Sequence, residues 1–438
     1  MKKWMSLILS AILMTVLLSA CGSNQPAAGD KPTASNKPSE TSGTGASKGN
    51  VTLTIMNGKT SIADTLTRLK GDYEKENPGV KLEIETVSSS NYATSLKAKF
   101  AANQPPDIFF NAGYQELGTW IDRLEDLSGE PWVSEMIDIA KDPISKNGAI
   151  YGMPISFEGF GILYNKQIFA DAGITELPKT LSQLEAVAAK LKEQGVLPFF
   201  VEHADVYNGG WYMTNIPFAR QASPDDFQAG LSAGKESITG NALFEDLLNF
   251  VDLTIKYGNN NQLTADYNTQ LSEFGNGKAA MTIGGNWNQL QLDKINPDLQ
   301  VSLMPIPINE DSDQNDKLSA GVPNYWVISK DSKVKEEAKQ FLNWLVGSET
   351  GKRYIAKELK FVPAFKNIEA ATDDLGMIGS DLLAYVKAGK TLGWQWPKYP
   401  VGIVDEFGAT FQKYVAGKIN REGLLKEYQS TWEKLGSK

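Results

Sequence analysis

The chain contains one cysteine and one histidine in 438 residues, and these two scarcities exclude several kinds of chemistry. Because Cys21 is the only cysteine, the fold has no internal disulfide and must be held by its hydrophobic core. Because His203 is the only histidine, zinc clusters, Cys/His dyads and most Ser/His/Asp hydrolases are excluded. Enzymes that use carboxylates alone remain compatible with this composition.

Long hydrophobic runs are also missing. The apolar core of the N-terminal segment, residues 7–18, is shorter than the roughly 20 residues that a membrane-spanning helix needs. It follows Lys2 and Lys3, and this arrangement predicts a signal peptide over residues 1–20. Residues 22–50 contain no large apolar side chain, which predicts that residues 21–50, which begin with Cys21, are a disordered linker.

The segment Leu18-Ser19-Ala20-Cys21 resembles the lipoprotein box of bacterial exported proteins. This resemblance implies cleavage before Cys21, diacylation of that residue, and anchoring at the extracytoplasmic face of the cell membrane. An ordinary secretory signal with an incidental cysteine is the alternative. Removal of residues 1–20, which carry two lysines and no acid, changes the formal net charge from −9 to −11. Such an acidic chain argues against nucleic acid as a partner.

Hydrophobic periodicity predicts a βαβαβ unit at the start of the domain. The predicted elements are strand 51–55, helix 62–73, strand 82–86, helix 92–100 and strand 107–110. Ser61 with Asp64 predicts the start of the first helix, and Asn77-Pro78-Gly79 predicts its end. The pattern is typical of an α/β fold with a parallel sheet, in which the strand ends and any ligand lie at one edge.

The rest of the chain continues this alternation without a fixed-period repeat. Its predicted elements include strands at 161–164, 199–201 and 279–283, and helices at 184–191, 338–345 and 424–435. Thr180 with Gln183 predicts a capping box before one of these helices. The strand at 279–283 continues into Gly284-Gly285-Asn286-Trp287, where small residues would permit close approach of a ligand to the backbone.

Five segments, in the same order, resemble the extracellular solute-binding proteins of ABC importers, in particular the sugar-binding family that includes maltose-binding protein. They are residues 104–110 (QPPDIFF), 151–174, 274–287 (FGNGKAAMTIGGNW), 325–354 and 361–365 (FVPAF). The resemblance implies a two-lobed periplasmic-binding-protein-like fold with hinge strands and a central ligand cleft. It places the chain crossings near 157–159, 320–322 and 361–363. One lobe is then 51–157 plus 322–361, and the other is 158–321 plus 362–438.

The same resemblance implies a function. We expect a monomeric substrate-binding protein that captures a mono- or oligosaccharide and delivers it to the permease subunits of an ABC importer, without a cofactor and without catalysis. Two alternatives remain open at this point. One is a carboxylate-only glycoside hydrolase, and the other is the same fold with a peptide, polyol or anionic oligosaccharide as ligand.

A carbohydrate site needs aromatic platforms for the sugar faces and polar groups for the hydroxyls. The family places a stacking aromatic where this chain has Trp287, beside Asn286. Trp394 and Trp396 lie in a loop without helical or strand period, and Trp211 follows two glycines, so we expect platforms there as well. Trp344 and Trp432 lie on helical stripes beside leucines, which predicts core packing.

Polar ligand contacts are expected from four residues, of which Asn286 lies beside Trp287. The family often carries a ligand-binding carboxylate at the first crossing, where this chain has Glu158. Lys59 and Asn111 follow predicted strands and should face the crevice, although a solvated charge and a turn residue are the alternatives.

Two acidic segments could suggest a metal site, but neither fits one well. Asp311, Asp313 and Asn315 match the start of a calcium loop, yet Asp316 replaces its glycine and Val322 its bidentate glutamate. The segment that contains Glu202, His203 and Asp205 offers a single histidine, which is more often structural than a ligand. We therefore predict no metal site.

Overall fold

A computed structural model describes residues 51–436. The predictions of a signal peptide, a lipidated Cys21 and a linker concern residues outside this range. The strands, in chain order, are β1 (Val51–Asn57), β2 (Val80–Thr86), β3 (Ile108–Asn111), β4 (Ser145–Lys146), β5 (Ala149–Ile150), β6 (Gly152–Pro154), β7 (Glu158–Asn165), β8 (Leu197–Phe199), β9 (Ala279–Gly285), β10 (Val301–Met304), β11 (Leu318–Gly321), β12 (Tyr325–Ile328) and β13 (Thr391–Gly393).

The α-helices surround these strands. They are α1 (Ala63–Glu76), α2 (Ser89–Ala101), α3 (Tyr114–Trp120), α4 (Lys166–Asp171), α5 (Leu181–Glu193), α6 (Thr214–Ala219), α7 (Pro224–Ser232), α8 (Ala242–Tyr257), α9 (Tyr267–Gly275), α10 (Gln289–Ile295), α11 (Ser312–Asn315), α12 (Lys335–Gly347), α13 (Glu349–Arg353), α14 (Thr372–Lys387), α15 (Ile403–Val415) and α16 (Arg421–Gly436). Short 3-10 turns and two π-helical segments, Asn208–Met213 and Tyr354–Glu358, join some of them. Within residues 51–436, no helix has the length and apolarity needed to cross a bilayer.

The first sheet has the order β2-β1-β3-β12-β6. β1 pairs in parallel with β2 and β3, which confirms the predicted βαβαβ unit. β12 pairs antiparallel with β3 and β6, so the sheet is mixed rather than parallel as expected. The sequence pattern of the first three strands does not reveal that a strand from far along the chain joins them.

The second sheet has the order β13-β11-β7-β9-β8, with β10 also paired to β7. β7 runs antiparallel to β9, β10 and β11, whereas β8 is parallel to β9 and β13 is parallel to β11. The N-terminal end of β7 therefore lies at the same edge as the C-terminal ends of β8, β9, β11 and β13. This edge carries most of the predicted site residues.

The chain passes between the two sheets at three places, the third of them between Ile328 of β12 and Thr391 of β13. It leaves the first sheet after Pro154 and enters the second at Glu158, and it returns between Gly321 and Tyr325. A further bridge joins Phe157 to Val362. The lobe boundaries proposed from the sequence stay a prediction, although these passages lie near the expected crossings.

Two clusters of buried apolar side chains hold the layers together. One surrounds the first sheet and reaches Leu163 of β7, while the other contains Ile162 and Tyr164 from the opposite face of the same strand. β7 is buried on both faces because helices cover the second sheet on both sides. Burial of this kind is the main stabilising contribution to such a domain.

Local sequence signals have mixed outcomes. Thr180 and Gln183 form the predicted capping box of α5. The predicted Ser61–Asp64 cap is wrong, because a 3-10 turn precedes α1 and no side chain caps that helix. Asp64 instead forms an ion pair with Lys294.

The two tryptophans predicted as core also differ. Trp432 is fully buried, as expected. Trp344 is only half-buried, since its indole N–H donates a hydrogen bond to Glu76 at 2.7 Å near the surface. The helical stripe identifies the face that packs inward but does not determine how deeply the outermost ring is buried.

Candidate functional site

Strand ends position the polar residues of the candidate site. Lys59 follows β1, Asn111 ends β3, and Glu158 begins β7 at the passage between the sheets. The Lys59 Nζ atom lies 2.6 Å from Oε1 of Glu158, and the two side chains are 14% and 3% exposed. The structure therefore joins two residues that the sequence proposed separately, and it pairs the Lys59 charge rather than leaving it solvated.

Neighbouring side chains hold this ion pair in place. The Asn57 side chain accepts a hydrogen bond from the Lys59 backbone N–H and donates one to the Lys59 carbonyl, which fixes the turn after β1. The Ser156 hydroxyl donates to the same Glu158 oxygen at 2.8 Å. A buried carboxylate that accepts both an ammonium group and a hydroxyl keeps its charge compensated.

The two asparagines of the predicted site have different surroundings. The Asn286 side chain accepts a hydrogen bond from Gly159 N–H at 3.0 Å and faces the Phe157 carbonyl at 3.5 Å, so its amide clamps the start of β7. Asn111 is fully buried, and its Oδ1 accepts from Gly113 N–H. The Nδ2 group of Asn111 has no hydrogen-bond partner, which leaves a buried donor available to a water or a ligand.

Aromatic rings form a continuous wall along the same edge of the second sheet. Trp287 stacks on Tyr212 with ring centroids 5.5 Å apart, and Tyr212 meets Trp396 edge to face at 6.0 Å. Trp211 stacks on Tyr207 at 4.0 Å and lies 6.2 Å from Trp396. We call Tyr207, Trp211, Tyr212, Trp287, Trp394 and Trp396 the aromatic wall.

The rings of the aromatic wall differ in exposure. Trp211 and Trp287 are half-buried, as are Tyr207 and Tyr212. Trp394 and Trp396 are 6% and 9% exposed and lie 4.3 Å apart. Both loop tryptophans are therefore buried in this conformation, because β13 and the 3-10 turn Trp396–Lys398 fold them against the sheet.

Glycines at the strand ends make room for these rings. A Cβ atom on Gly285 would lie 2.3 Å from the Trp287 ring, and one on Gly321 would lie 3.1 Å from the Trp394 ring. The sequence predicted that Gly285 leaves space for a ligand, but the side chain of Trp287 fills that space. In the π-helical segment, a Cβ atom on Gly210 would lie 2.1 Å from the Val404 carbonyl, so glycine lets this segment pack on α15.

Burial and neighbouring carboxylates change the pKa of several groups here. Burial, followed by the charge of Glu158, raises the pKa values of Tyr212 and Tyr267 above their ordinary range. Burial also raises the pKa of Glu202 to about 7, and burial lowers the pKa of His203 to about 4. The tyrosines are therefore neutral hydroxyl groups, and His203 is neutral at pH 7.

The sequence did not single out two aromatic residues that the structure places in this region, namely Tyr207 and Tyr212. Tyr207 and Trp211 are four residues apart, which is one signal that could have paired them. Tyr212 joins Trp287 only because the segment 208–213 is π-helical, and no sequence pattern indicated this.

The acidic segments do not gather into a metal site. Within residues 51–436, no group of three or more His, Cys, Asp or Glu side chains is arranged to hold a metal ion. Asp311 instead caps α11 by accepting a hydrogen bond from Gln314 N–H. The Glu202 side chain accepts hydrogen bonds from Asp205 N–H and from Asn208.

Residues 59–352 match the family model of bacterial extracellular solute-binding proteins. A multiple sugar-binding protein of Streptococcus mutans is 22% identical over 313 residues, which cover 69% of this chain and 73% of that protein. The melibiose/raffinose/stachyose-binding protein MelE of Bacillus subtilis is 24% identical over 338 residues, which cover 73% and 75%.

Solved structures of similar shape support the same fold. The solute-binding protein RafE in complex with raffinose has a TM-score of 0.76 and 21% identity, covering 88% of this chain and all of that one. A sugar transporter from Bacillus licheniformis in complex with stachyose has a TM-score of 0.72 and 23% identity over 88% of this chain. These similarities confirm the two-lobed solute-binding fold predicted from the sequence.

Proposed function

This chain belongs to the family of bacterial extracellular solute-binding proteins, and on that premise we propose that it captures a mono- or oligosaccharide for an ABC importer. The observation that carries the proposal is the aromatic wall beside the buried Lys59–Glu158 pair. Flat rings bind the apolar faces of a sugar, and fixed polar groups bind its hydroxyls. Relatives named as sugar-binding proteins add support.

We assign a part in binding to each predicted residue. Trp287 and Trp211 offer half-buried ring faces to the ligand, and Trp394 and Trp396 are the more deeply buried ligand-binding rings of the aromatic wall. The polar contacts are Lys59, Glu158 and the free Nδ2 group of Asn111, while Asn286 positions the backbone beside Trp287. The protein binds and delivers its ligand without transforming it, and the ligand passes to the permease subunits.

Calorimetric titration of residues 51–438 with raffinose, stachyose, maltotriose and diacetylchitobiose tests this function. We expect at least one saccharide to bind with 1:1 stoichiometry and to raise the melting temperature, since a ligand that binds only the folded state stabilises it. The sugars recovered afterwards should be intact. Hydrolysis products would instead indicate a glycosidase, and binding of peptides or polyols alone would indicate a different ligand class.

We further propose that Cys21 carries the lipid that holds the protein at the extracytoplasmic face of the membrane. The support is the sequence Leu18-Ser19-Ala20-Cys21 and the apolar-poor residues 22–50 after it. Cys21→Ala should move the protein from the membrane fraction to the culture medium or periplasm, and Ser23→Ala should leave it in the membrane fraction. Retention of the Cys21→Ala variant in the membrane would show that another segment anchors it.

A further inference from the structure

Lys59 supplies an ammonium group to the centre of the candidate site, and Glu158 neutralises it there. The Nζ to Oε1 distance is 2.6 Å, and both side chains are largely buried. In such a place an ion pair is stable only while both charges are present, because each buried charge without its partner carries a large desolvation cost. An incoming anion could reach Lys59 only by displacing Glu158.

The charges around the half-buried rings are also negative. The carboxylates of Glu158 and Asp205 both act on the hydroxyl of Tyr212, which stacks on Trp287. Asp405 and Asp205 act in the same way on Tyr207, at the other end of the aromatic wall. A carboxylate on a ligand at these rings would therefore face acidic groups, and like charges near one another in a partly dry cleft repel strongly.

We infer that the site selects uncharged saccharides and that the Lys59–Glu158 ion pair determines this selectivity. The inference rests on the proposed function and narrows its ligand class. Without the Glu158 charge, Lys59 becomes an unpaired buried cation, so the same cleft should accept an anionic saccharide. The Lys59 ammonium group is thus able to bind an anion, and in the wild-type protein the Glu158 carboxylate occupies it.

The test compares neutral and anionic saccharides on charge variants, by calorimetry at constant ionic strength. The neutral panel is raffinose, stachyose and maltotriose, and the anionic probe is trigalacturonate. We expect the wild-type protein to bind a neutral sugar and to bind trigalacturonate at least about a hundredfold more weakly. Glu158→Gln, which keeps the shape of the side chain, should bind trigalacturonate at least about tenfold more tightly than wild type does, equivalent to about 1.4 kcal/mol.

Two control variants separate this effect from a general change of charge. The double variant Lys59→Met/Glu158→Gln removes the cation as well, so the gain in trigalacturonate affinity should disappear. Asp316→Asn frees Lys390 from a pair of the same 2.6 Å length outside the site, and it should keep the wild-type preference. A gain in the Asp316→Asn variant equal to that of Glu158→Gln would mean that net charge alone explains the result, and would overturn the inference.

A thermal-stability measurement without any sugar tests the inference even when a variant binds no saccharide. Glu158→Ala leaves space for a carboxylate beside Lys59, so acetate should raise its melting temperature more than equimolar chloride does, and more than acetate raises that of wild type. Absence of this rescue in a folded variant would overturn the inference. Wild-type affinity for trigalacturonate equal to that for neutral sugars would also overturn it. Rescue by acetate without binding of any neutral sugar would refute the proposed function while Lys59 remained an anion site.

Discussion

At the scale of single residues, Trp287 and Trp432 show two uses of the same side chain. Trp287 is half-buried and stacks on Tyr212 at 5.5 Å. Trp432 is 1% exposed and packs against Phe218 and Tyr399 in the second cluster of buried apolar side chains. Burial and neighbours, rather than residue type, determine whether loss of the ring affects binding or folding.

We predict that Trp287→Ala weakens saccharide binding by about thirtyfold, equivalent to about 2 kcal/mol, as at a binding hot spot. Its melting temperature should stay close to that of wild type. Trp432→Ala should lower the free energy of unfolding by about 3 to 5 kcal/mol and leave the affinity of the folded protein unchanged. Titration calorimetry and urea unfolding measure both quantities. An early melting transition with normal affinity in Trp287→Ala would place that ring in the core instead.

Glu202 makes stability depend on pH in a defined direction. Burial raises its pKa from 4.5 to about 7, so the folded state binds the proton more tightly than the unfolded state. The contribution of this proton to the free energy of unfolding is fully present below pH 4.5 and is lost as the pH rises to about 7. We predict that Glu202→Gln, which carries no ionisable group, gains stability relative to wild type between pH 5 and pH 8, by on the order of 2 kcal/mol.

Urea unfolding at both pH values tests this, with the exposed Glu369→Gln variant as control. Burial lowers the pKa of His203 to about 4, so the contribution of the neutral His203 ring to the free energy of unfolding is lost as the pH falls from 6.5 toward 4. That contribution is common to wild type and variant and cancels in their difference. An equal pH dependence in Glu202→Gln and wild type would show that another group is responsible.

Sequence reasoning found the polar centre of the site better than it found the aromatic wall. Lys59, Asn111 and Glu158 could be proposed because strand ends in an α/β fold meet at one edge, and because a family resemblance marks Glu158. The contact between Lys59 and Glu158 could not be predicted, because they lie 99 positions apart and belong to different sheets. Tyr212 was missed because its direction depends on a π-helical segment.

At the scale of elements, the break in helix α14 at Gly376 is the clearest feature that the sequence pattern does not predict. Gly376 has φ of 72° and ψ of 175° inside the helix, a conformation that is essentially restricted to glycine. The Gln289 side chain fills the break, where its Oε1 accepts a hydrogen bond from Ile378 N–H at 2.9 Å and its Nε2 donates to Asp293. Because Gln289 lies two residues after Trp287, the break also positions a ring of the aromatic wall.

We predict that Gly376→Ala lowers the free energy of unfolding by about 2 to 3 kcal/mol. An alanine there is strained, and its Cβ atom would lie 2.6 Å from Gln289. The control is Gly389→Ala, which has a similar φ of 68° with open space around it, and should cost only about 1 to 2 kcal/mol. Gly376→Ala should also weaken saccharide binding, whereas Gly389→Ala should not. Equal costs in urea unfolding would show that Gln289 moves aside freely.

Elements whose signal is local were predicted, and elements whose formation depends on distant partners were not. The capping box of α5 is complete within four residues, so the sequence contains all of it. The antiparallel addition of β12 to the first sheet, and the insertion of Gln289 into α14, involve residues far apart in the chain. Periodicity describes which face of an element is apolar but not which element covers it.

At the scale of the whole molecule, contacts join the layers of the two sheets on both sides of the candidate site. On one side, Lys294 of α10 pairs with Asp64 of α1 at 2.8 Å, and Gln291 donates to the Ser61 carbonyl. On the other side, Gln115 of α3 donates to the Lys398 carbonyl, and the Lys398 ammonium lies over the Tyr114 ring at 5.1 Å. In this conformation the layers built on the two sheets touch each other, and Trp394 and Trp396 are buried. A ligand therefore enters the site only when the two layers separate.

We predict that a bound saccharide shifts the molecule toward this conformation, because a ligand that contacts both layers binds it better than an open one. Small-angle scattering should show a smaller radius of gyration at saturation than in the free protein. Lys294→Glu places two negative charges together where the Lys294–Asp64 pair now holds α10 to α1, so the free variant should be more expanded than wild type and should bind more weakly.

The matched control is Lys278→Glu, which disrupts an exposed pair of 2.7 Å with Glu273 that lies on the second layer alone. It removes the same charge without touching a contact between the layers, so its radius of gyration and affinity should equal those of wild type. High salt should reduce the difference between Lys294→Glu and wild type, since exposed charges are screened. If the radius of gyration is the same with and without saturating saccharide, the two layers form a rigid body and ligand entry follows another route.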